Sequence, residues 1–78
     1  MIDVESESEF TVLVADLIVK LADLKEFKLL VWISGSEIAY EFDSYCDFYF
    51  MQEGFRVSYE NVIDYIYYDM ISGIKVVS

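Results

Sequence analysis

The alternation of polar and apolar side chains between Glu37 and Phe50 constrains the fold more than any other feature of this chain. From residue 37 to 43 every second residue is a large apolar or aromatic one, and the alternation resumes from residue 45 to 51. A period of two is typical of a strand that buries one face and exposes the other. The stretch therefore predicts two antiparallel strands joined by a turn at Asp43 and Ser44.

The same alternation sorts the side chains of this stretch into two faces. The set predicted to face the core consists of Ile38, Tyr40, Phe42, Cys46, Phe48 and Phe50. The outward set consists of Glu37, Glu41, Asp43, Asp47 and Tyr49. Because no basic residue interrupts the run, the exposed face is predicted to present negative charge beside an aromatic ring.

Helical periodicity predicts one helix on each side of the strands. Ser6 and Glu9 form a capping-box pattern, after which apolar residues recur at helical spacing from residue 10 to 24. Ser58 is a suitable N-cap for a second helix, which Gly73 would end. The inward stripe of that second helix is predicted to consist of Tyr59, Val62, Ile63, Ile66 and Met70.

The remaining segments complete an α+β fold. Residues 27 to 33 are apolar and rich in strand-forming types, and turn residues follow them. Residues 55 to 58 favour a further strand, and residues 74 to 77 a short last one. We therefore expect an N-terminal helix, an antiparallel meander of three to four strands and a C-terminal helix. They form a single domain over residues 1–78, in which residues 1–5 are a flexible arm or a short strand.

Length and cysteine content limit how such a chain is stabilised and where it works. At 78 residues with 56% apolar content a core can form, but one cysteine provides no internal disulfide. The first ten residues carry four acids and no base, unlike a secretory leader. The longest uncharged run, from Leu29 to Ser36, is far shorter than the roughly 20 residues of a membrane span. We expect a cytoplasmic protein.

Net charge limits the classes of partner. Fifteen acids against five bases give a charge of −10, beyond the roughly 2–8 that keeps a small domain soluble. Such a charge repels nucleic acid and anionic membranes and attracts basic surfaces. The charge serves either solubility alone or the binding of a protein with a basic surface.

The inventory of reactive residues argues against catalysis. The chain has no histidine, and its three glycines form no phosphate-binding loop. Cys46 has no cationic neighbour in sequence and alternates with phenylalanines, as expected of an inert buried thiol. The acids at 41, 43 and 47 lack the glycine and terminal glutamate of a calcium loop. We predict no catalytic residue, no cofactor and no metal.

The spacing of the acids is compatible with imitation of nucleic acid. Carboxylates two apart on a strand repeat at roughly 6.6–6.8 Å, and those four apart on a helix at roughly 5–6 Å. Both are comparable with the steps of a phosphate backbone, which rises about 3.4 Å per residue along one strand. The tyrosines and Trp32 offer flat surfaces in place of bases.

In size, acidity and aromatic content the chain resembles phage-encoded inhibitors of the anti-CRISPR, anti-restriction and uracil-DNA glycosylase inhibitor types. Several of those proteins are DNA mimics. The resemblance covers composition and the patches from Glu37 to Asp47 and from Glu60 to Asp69, and no family motif aligns onto particular residues. It implies a cytoplasmic inhibitor that occupies the basic groove of a nucleic-acid-binding enzyme.

Three functional hypotheses follow. The first is this DNA-mimic inhibitor, whose predicted partner-binding residues are Glu37, Glu41, Asp43, Asp47, Tyr49, Glu60, Asp64, Tyr67, Tyr68 and Asp69. The second is a non-catalytic interaction module that binds protein through its aromatic surface, with little dependence on salt. The third is a homodimer that buries Trp32, Tyr67 and Tyr68.

Overall fold

The computed structural model describes residues 1–78 as one α-helix and seven strands arranged in two sheets. The helix α1 is Val12–Asp23, and a 3-10 turn, Tyr68–Met70, joins the last two strands. The strands are β1 (Ile2–Val4), β2 (Lys28–Ile33), β3 (Ala39–Asp43), β4 (Asp47–Phe50), β5 (Gly54–Tyr59), β6 (Val62–Tyr67) and β7 (Ile71–Val77). The predicted mixed α+β class is confirmed, whereas the predicted C-terminal helix and strand count are wrong.

The strands form a four-stranded sheet in the order β1-β4-β5-β6 and a three-stranded sheet in the order β3-β2-β7. All neighbours are antiparallel except β1, which pairs parallel with β4. The predicted hairpin of β2 and β3 is confirmed, and residues 1–5 contain a strand. The expected continuous meander is wrong, because β3 and β4 belong to different sheets.

A tight turn at the end of β3 redirects the chain from one sheet to the other. The Asp43 carboxylate accepts the backbone N–H of Tyr45 at 2.9 Å, and the Asp43 carbonyl accepts that of Cys46 at 3.1 Å. The Ser44 N–H donates to the Phe27 carbonyl at 3.0 Å, which fixes the turn beside the start of β2. Asp43 thus stabilises the turn through local side-chain bonding, as aspartate commonly does.

The core lies between the two sheets and contains only apolar side chains. Eleven hydrophobic side chains are buried: Leu21, Phe27, Leu29, Val31, Phe42, Cys46, Phe48, Phe50, Phe55, Val57 and Ile66. Phenylalanine rings connect the two sheets, with Phe42 edge-on to Phe48 at 6.3 Å between centroids. Each such ring contributes about 1.5–3 kcal/mol through burial.

Two of the residues predicted to face the core are exposed. Ile38 precedes β3 in the turn and is 79% exposed. Tyr40 lies on the same face of β3 as Phe42 and stacks on it at 6.1 Å, yet remains 47% exposed because β3 is an edge strand. The other four, from Phe42 to Phe50, are buried as predicted.

The first helix begins later than the capping box predicts. Glu7 has a φ of 71°, which no right-handed helix accommodates, and the Glu9 N–H donates to the Gln52 side chain at 3.0 Å. Thr11 is the N-cap instead, and its hydroxyl oxygen accepts the Val14 N–H at 3.3 Å. No helix in the structure is both long and apolar enough to cross a membrane.

The segment predicted as a second helix forms the end of β5, all of β6, the 3-10 turn and the start of β7. The sequence of β6, VIDYIY, consists mostly of β-branched and aromatic residues, and its full length pairs with β5. Propensity for a strand and cross-strand pairing therefore outweigh the helical spacing of its apolar residues. Gly73 pairs with Trp32 inside β7 rather than ending a helix.

Candidate partner-binding site

A cleft rich in carboxylates opens where β3 and β5 end. It has a volume of about 390 Å³ and we call it the acidic cleft. Its lining residues are Glu41, Phe42, Asp43, Tyr45, Cys46, Tyr59 and Glu60. The two edges come from distant parts of the chain, so the cleft exists only because the sheets pack together.

Glu41 and Asp43 reach the cleft from the outward side of β3. Glu41 Oε1 lies 3.1 Å from Lys28 Nζ on the neighbouring strand, in an ion pair whose side chains are more than half exposed. Such exposed pairs contribute only about 0–1 kcal/mol, so Glu41 stays accessible to a competing cation. Asp43 combines its role in the turn with a second acceptor interaction, 3.7 Å from the Cys46 thiol.

Glu60 and Tyr45 occupy the two opposite turns at the mouth of the cleft. Tyr45 follows β3 and is 81% exposed, so almost the whole ring is available for contact. Glu60 lies in the tight turn between β5 and β6 with a φ of 51°. A glutamate in this left-handed region stores backbone strain that glycine would avoid.

Tyr59 forms the inner wall of the cleft, and a hydrogen bond across the β5–β6 hairpin sets its orientation. Its hydroxyl donates to Asp64 Oδ2 at 2.8 Å, and its ring centroid lies 6.1 Å from that of Phe42. The bond to Asp64 raises the pKa of Tyr59 above its ordinary value, because a tyrosinate would lose the donated proton and face a carboxylate. Tyr59 therefore remains a neutral hydrogen-bond donor at the cleft wall.

Cys46 lies at the base of the cleft, and its thiol is expected to be unreactive. Burial raises the pKa of the thiol, and the nearby charges of Asp43 and Asp47 raise it further. A thiolate is therefore disfavoured at this position. Asp47 itself lies 3.5 Å from the N-terminal ammonium, which also donates to the Cys46 carbonyl at 3.2 Å.

The structure gathers about half of the predicted partner-binding residues around this cleft. Three of them line the cleft, namely Glu41, Asp43 and Glu60. Asp64 accepts a hydrogen bond from Tyr59 in the cleft wall, and Asp47, the first residue of β4, directly follows Cys46 at the cleft base. The remaining ones lie elsewhere: Glu37 in the turn before β3, Asp69 in the 3-10 turn, and Tyr49, Tyr67 and Tyr68 on or beside the four-stranded sheet.

Tyr68 is half-buried and held internally. Its hydroxyl donates to the Met51 carbonyl at 2.8 Å, and its ring lies 6.3 Å from Phe55. Burial raises the pKa of Tyr68 to about 12. Trp32 and Tyr67 lie on the outer faces of different sheets, so the three aromatics of the predicted dimer surface do not share one face.

A second surface covers the outer face of the four-stranded sheet. Register places Tyr49, Arg56 and Tyr65 in one row across β4, β5 and β6. The Arg56 guanidinium lies 5.2 Å from the centre of the Tyr49 ring, and Tyr65 lies 4.8 Å from Tyr67. With Ile63, these residues form what we call the tyrosine face.

Sequence reasoning missed Tyr45, Tyr59 and Tyr65. Tyr45 falls on the outward side of the alternating stretch, so the signal was present for it. The helical prediction for the segment that contains Tyr59 and Tyr65 places Tyr59 in the inward stripe and gives Tyr65 no role. The alternation of Ile63, Tyr65 and Tyr67 along β6 is the pattern that distinguishes the strand.

No group of three or more His, Cys, Asp or Glu side chains is arranged to hold a metal ion. Comparisons of the chain with protein-family models, with curated proteins and with solved structures find no match.

Proposed function

We propose that this protein is a non-catalytic inhibitor that binds the basic, nucleic-acid-binding surface of a partner protein through the acidic cleft. The observation that carries the proposal is the convergence of Glu41, Asp43 and Glu60 beside the exposed ring of Tyr45. Carboxylates next to a flat aromatic ring present the two features that a groove for single-stranded nucleic acid recognises, namely charge and a stacking surface.

The charge of the protein is free to act on a partner. No charged side chain is buried, and of the fifteen acids only Asp47 and Glu41 form ion pairs, both exposed. The fold therefore uses very little of its negative charge internally. A charge of this sign steers encounter with a basic surface and suppresses wrong partners, while adding less to the final affinity.

The aromatic residues of the cleft supply the anchors. Tyr45 projects from its turn, and Tyr59 is oriented by its bond to Asp64 before any partner arrives. Preoriented tyrosines lose little conformational freedom on binding and dominate the energetics of many interfaces. Tyr45 in the place of a stacked base would be the principal anchor of the complex.

Backbone strain at Glu60 also supports a binding role. The turn holds a glutamate at φ 51°, where glycine or asparagine fits at lower energy. Residues kept in such conformations cluster at functional sites. A need for the Glu60 charge at the mouth of the cleft would explain why a strained glutamate occupies this turn instead of glycine or asparagine.

Displacement of single-stranded DNA from a purified basic protein that binds single strands tests the proposal, with fluorescence anisotropy of the labelled DNA as the readout. The wild-type protein should displace the DNA, and displacement should weaken as salt rises. Glu41→Lys/Glu60→Lys should abolish it. The control Asp16→Lys/Asp23→Lys makes the same change in net charge on helix α1 and should retain displacement.

If both double variants lost DNA displacement equally, only net charge would matter. The assignment of partner binding to the acidic cleft would then be wrong. Failure of the wild-type protein to displace DNA at low salt would overturn the proposed function itself.

A second candidate is an interaction module that binds protein through the tyrosine face. The exposure of its apolar members favours it, since Ile63 is 66% exposed and Tyr67 51% exposed. Exposed apolar side chains that cluster on a small protein often mark an interface. In this case affinity would change little with salt, and Tyr67→Ala would weaken binding more than reversal of the cleft acids.

A further inference from the structure

Strand β6 ends the four-stranded sheet with one edge unpaired. It pairs with β5 along its whole length and with no other strand. Natural proteins usually protect such edges with lysine, proline or a bulge. None of these occurs in β6, whose sequence is VIDYIY and whose register with β5 is unbroken; its one protective feature is the inward-pointing charge of Asp64.

Hairpin geometry determines which backbone groups face the open edge. Tyr59 and Val62 flank the Glu60–Asn61 turn and pair with each other, so the Val62 N–H points toward β5. Alternation along an antiparallel ladder then directs the backbone groups of Ile63, Tyr65 and Tyr67 away from β5.

Contacts at the other end of the strand agree with this alternation. The Tyr68 N–H donates to the Glu53 carbonyl at 3.0 Å, and the Ile66 carbonyl is directed at Gly54 on β5. None of the ten backbone hydrogen bonds outside helices and strands involves Ile63, Tyr65 or Tyr67. Three N–H and three C=O groups in a row along this edge therefore have no backbone hydrogen-bond partner.

A pocket beside this edge would accept one side chain of an incoming strand. It has a volume of about 180 Å³ and is lined by Ile33, Tyr40, Asp64, Tyr65, Ile66, Tyr67 and Met70. All its walls are apolar or aromatic except for the carboxylate of Asp64. Lysine and arginine fit such a pocket, because their apolar stems pack against the walls while the cationic head reaches the acid.

Charge around β6 selects the occupant. Glu60 precedes the strand, Asp69 follows it, and Glu53 and Glu5 lie close enough to Tyr65 to raise its pKa, after the larger effect of burial. The one base on the neighbouring strand, Arg56, lies over Tyr49. A second copy of this chain would place two Asp64 side chains near each other and oppose a charge of −10 with the same charge.

From this arrangement we infer that the free edge of β6 binds an extended basic segment of the partner by strand addition. Main-chain hydrogen bonds to Ile63, Tyr65 and Tyr67 supply affinity, and a lysine or arginine in the Asp64 pocket supplies specificity. The inference rests on the proposed function in taking the partner to be basic, and it adds a contact that does not involve the acidic cleft.

Amide hydrogen exchange by NMR tests the inference with a defined probe. The probe is a synthetic peptide of about six alternating lysine and valine residues, a typical strand length. At about ten times its dissociation constant it should slow exchange at the Ile63, Tyr65 and Tyr67 amides by about tenfold. The amide of Glu37, in the turn before β3, should be unaffected.

The matched control is the same peptide with N-methyl groups on the residues that would pair, which keeps charge and side chains but removes the donors. It should leave the three amides unprotected. Equal protection by both peptides, or no protection by the unmodified peptide at about 1 mM, overturns strand addition. Protection that grows with protein concentration in the absence of peptide identifies a second copy as the occupant and overturns it as well.

Different results overturn the proposed function and strand addition at β6. Glu41→Lys, on β3 and outside the proposed contact, should leave slowing of the β6 amides by the peptide in place while weakening DNA displacement. Protection without DNA displacement would leave strand addition standing and remove the proposed function. Displacement of DNA without protection of the β6 amides would leave the proposed function standing and overturn strand addition.

Discussion

The Tyr59 hydroxyl donates a 2.8 Å hydrogen bond to the Asp64 carboxylate, and this bond ties the wall of the acidic cleft to the strand that carries the open edge. Asp64 also lines the pocket beside β6. The two surfaces share no lining residue but are linked by this one hydrogen bond. A partner that neutralises Asp64 from the pocket would weaken the constraint on Tyr59.

Tyr59→Phe should lower the thermal midpoint of unfolding at neutral pH, because Asp64 loses a donor on the core-facing side of β6. The pKa of Tyr59 is raised in the folded protein, so the bond's contribution to stability is fully present below the unfolded pKa of about 10. It is lost as pH rises through the folded pKa. Thermal unfolding monitored by circular dichroism at neutral and alkaline pH measures the difference.

The difference in thermal midpoint between the wild-type protein and Tyr59→Phe should become smaller at alkaline pH. Taking the difference cancels the titration of the other tyrosines, which both proteins share. A gap that stays constant from neutral to strongly alkaline pH would show that the bond does not link stability to Tyr59 ionisation.

Gly54→Ala should destabilise the protein by about 1–3 kcal/mol, the usual cost of forcing an extra group into a packed site. A Cβ on Gly54 would collide with the Ile66 carbonyl oxygen, so β5 and β6 would have to separate. Gly73→Ala is the control, since a Cβ there would meet the Trp32 side chain no closer than 3.5 Å, an ordinary contact. Urea denaturation should separate the two variants clearly, and similar midpoints would contradict the close approach at Gly54.

Glu60→Gly should separate stability from binding. Relief of the left-handed conformation favours the folded state by about 1–2 kcal/mol, and the flexibility of glycine in the unfolded chain offsets about 0.5–1 kcal/mol. We therefore expect a small net gain in the free energy of unfolding together with weaker displacement of DNA. Glu60→Lys keeps the strain and should weaken binding without the gain. Unchanged displacement by both variants would remove Glu60 from the site.

The Cys46 thiol should resist alkylation in the folded protein. Burial excludes the reagent, and the raised pKa keeps the thiolate fraction low near neutral pH. Iodoacetamide should therefore react slowly with the native protein and rapidly in urea, as followed by mass spectrometry. Rapid modification of the native protein would mean that the base of the cleft opens readily.

Local pattern was sufficient for part of the fold and for part of the site. Alternation along the stretch from Glu37 to Phe50 correctly separates the buried phenylalanines from the exposed acids, since neighbouring side chains on a strand must point to opposite faces. The hairpin of β2 and β3 follows from an apolar run and a turn signal. These features depend on neighbours in sequence.

The segment from Ser58 to Gly73 could not be assigned in this way. Its apolar residues satisfy a helical period, and only pairing of β6 with β5 makes the strand the more stable state. The same limit applies to the capping box at Ser6 and Glu9. There a long-range bond from the Glu9 amide to the Gln52 side chain takes the place of the local one.

The sequence by itself determined the composition of the surface: a strong negative charge, no histidine, and acids interleaved with aromatic rings. Only the tertiary structure decided which of those acids act together. Glu41 and Glu60 come from different sheets and meet because the turn at Asp43 sends the chain across the core, so their proximity depends on packing between distant segments.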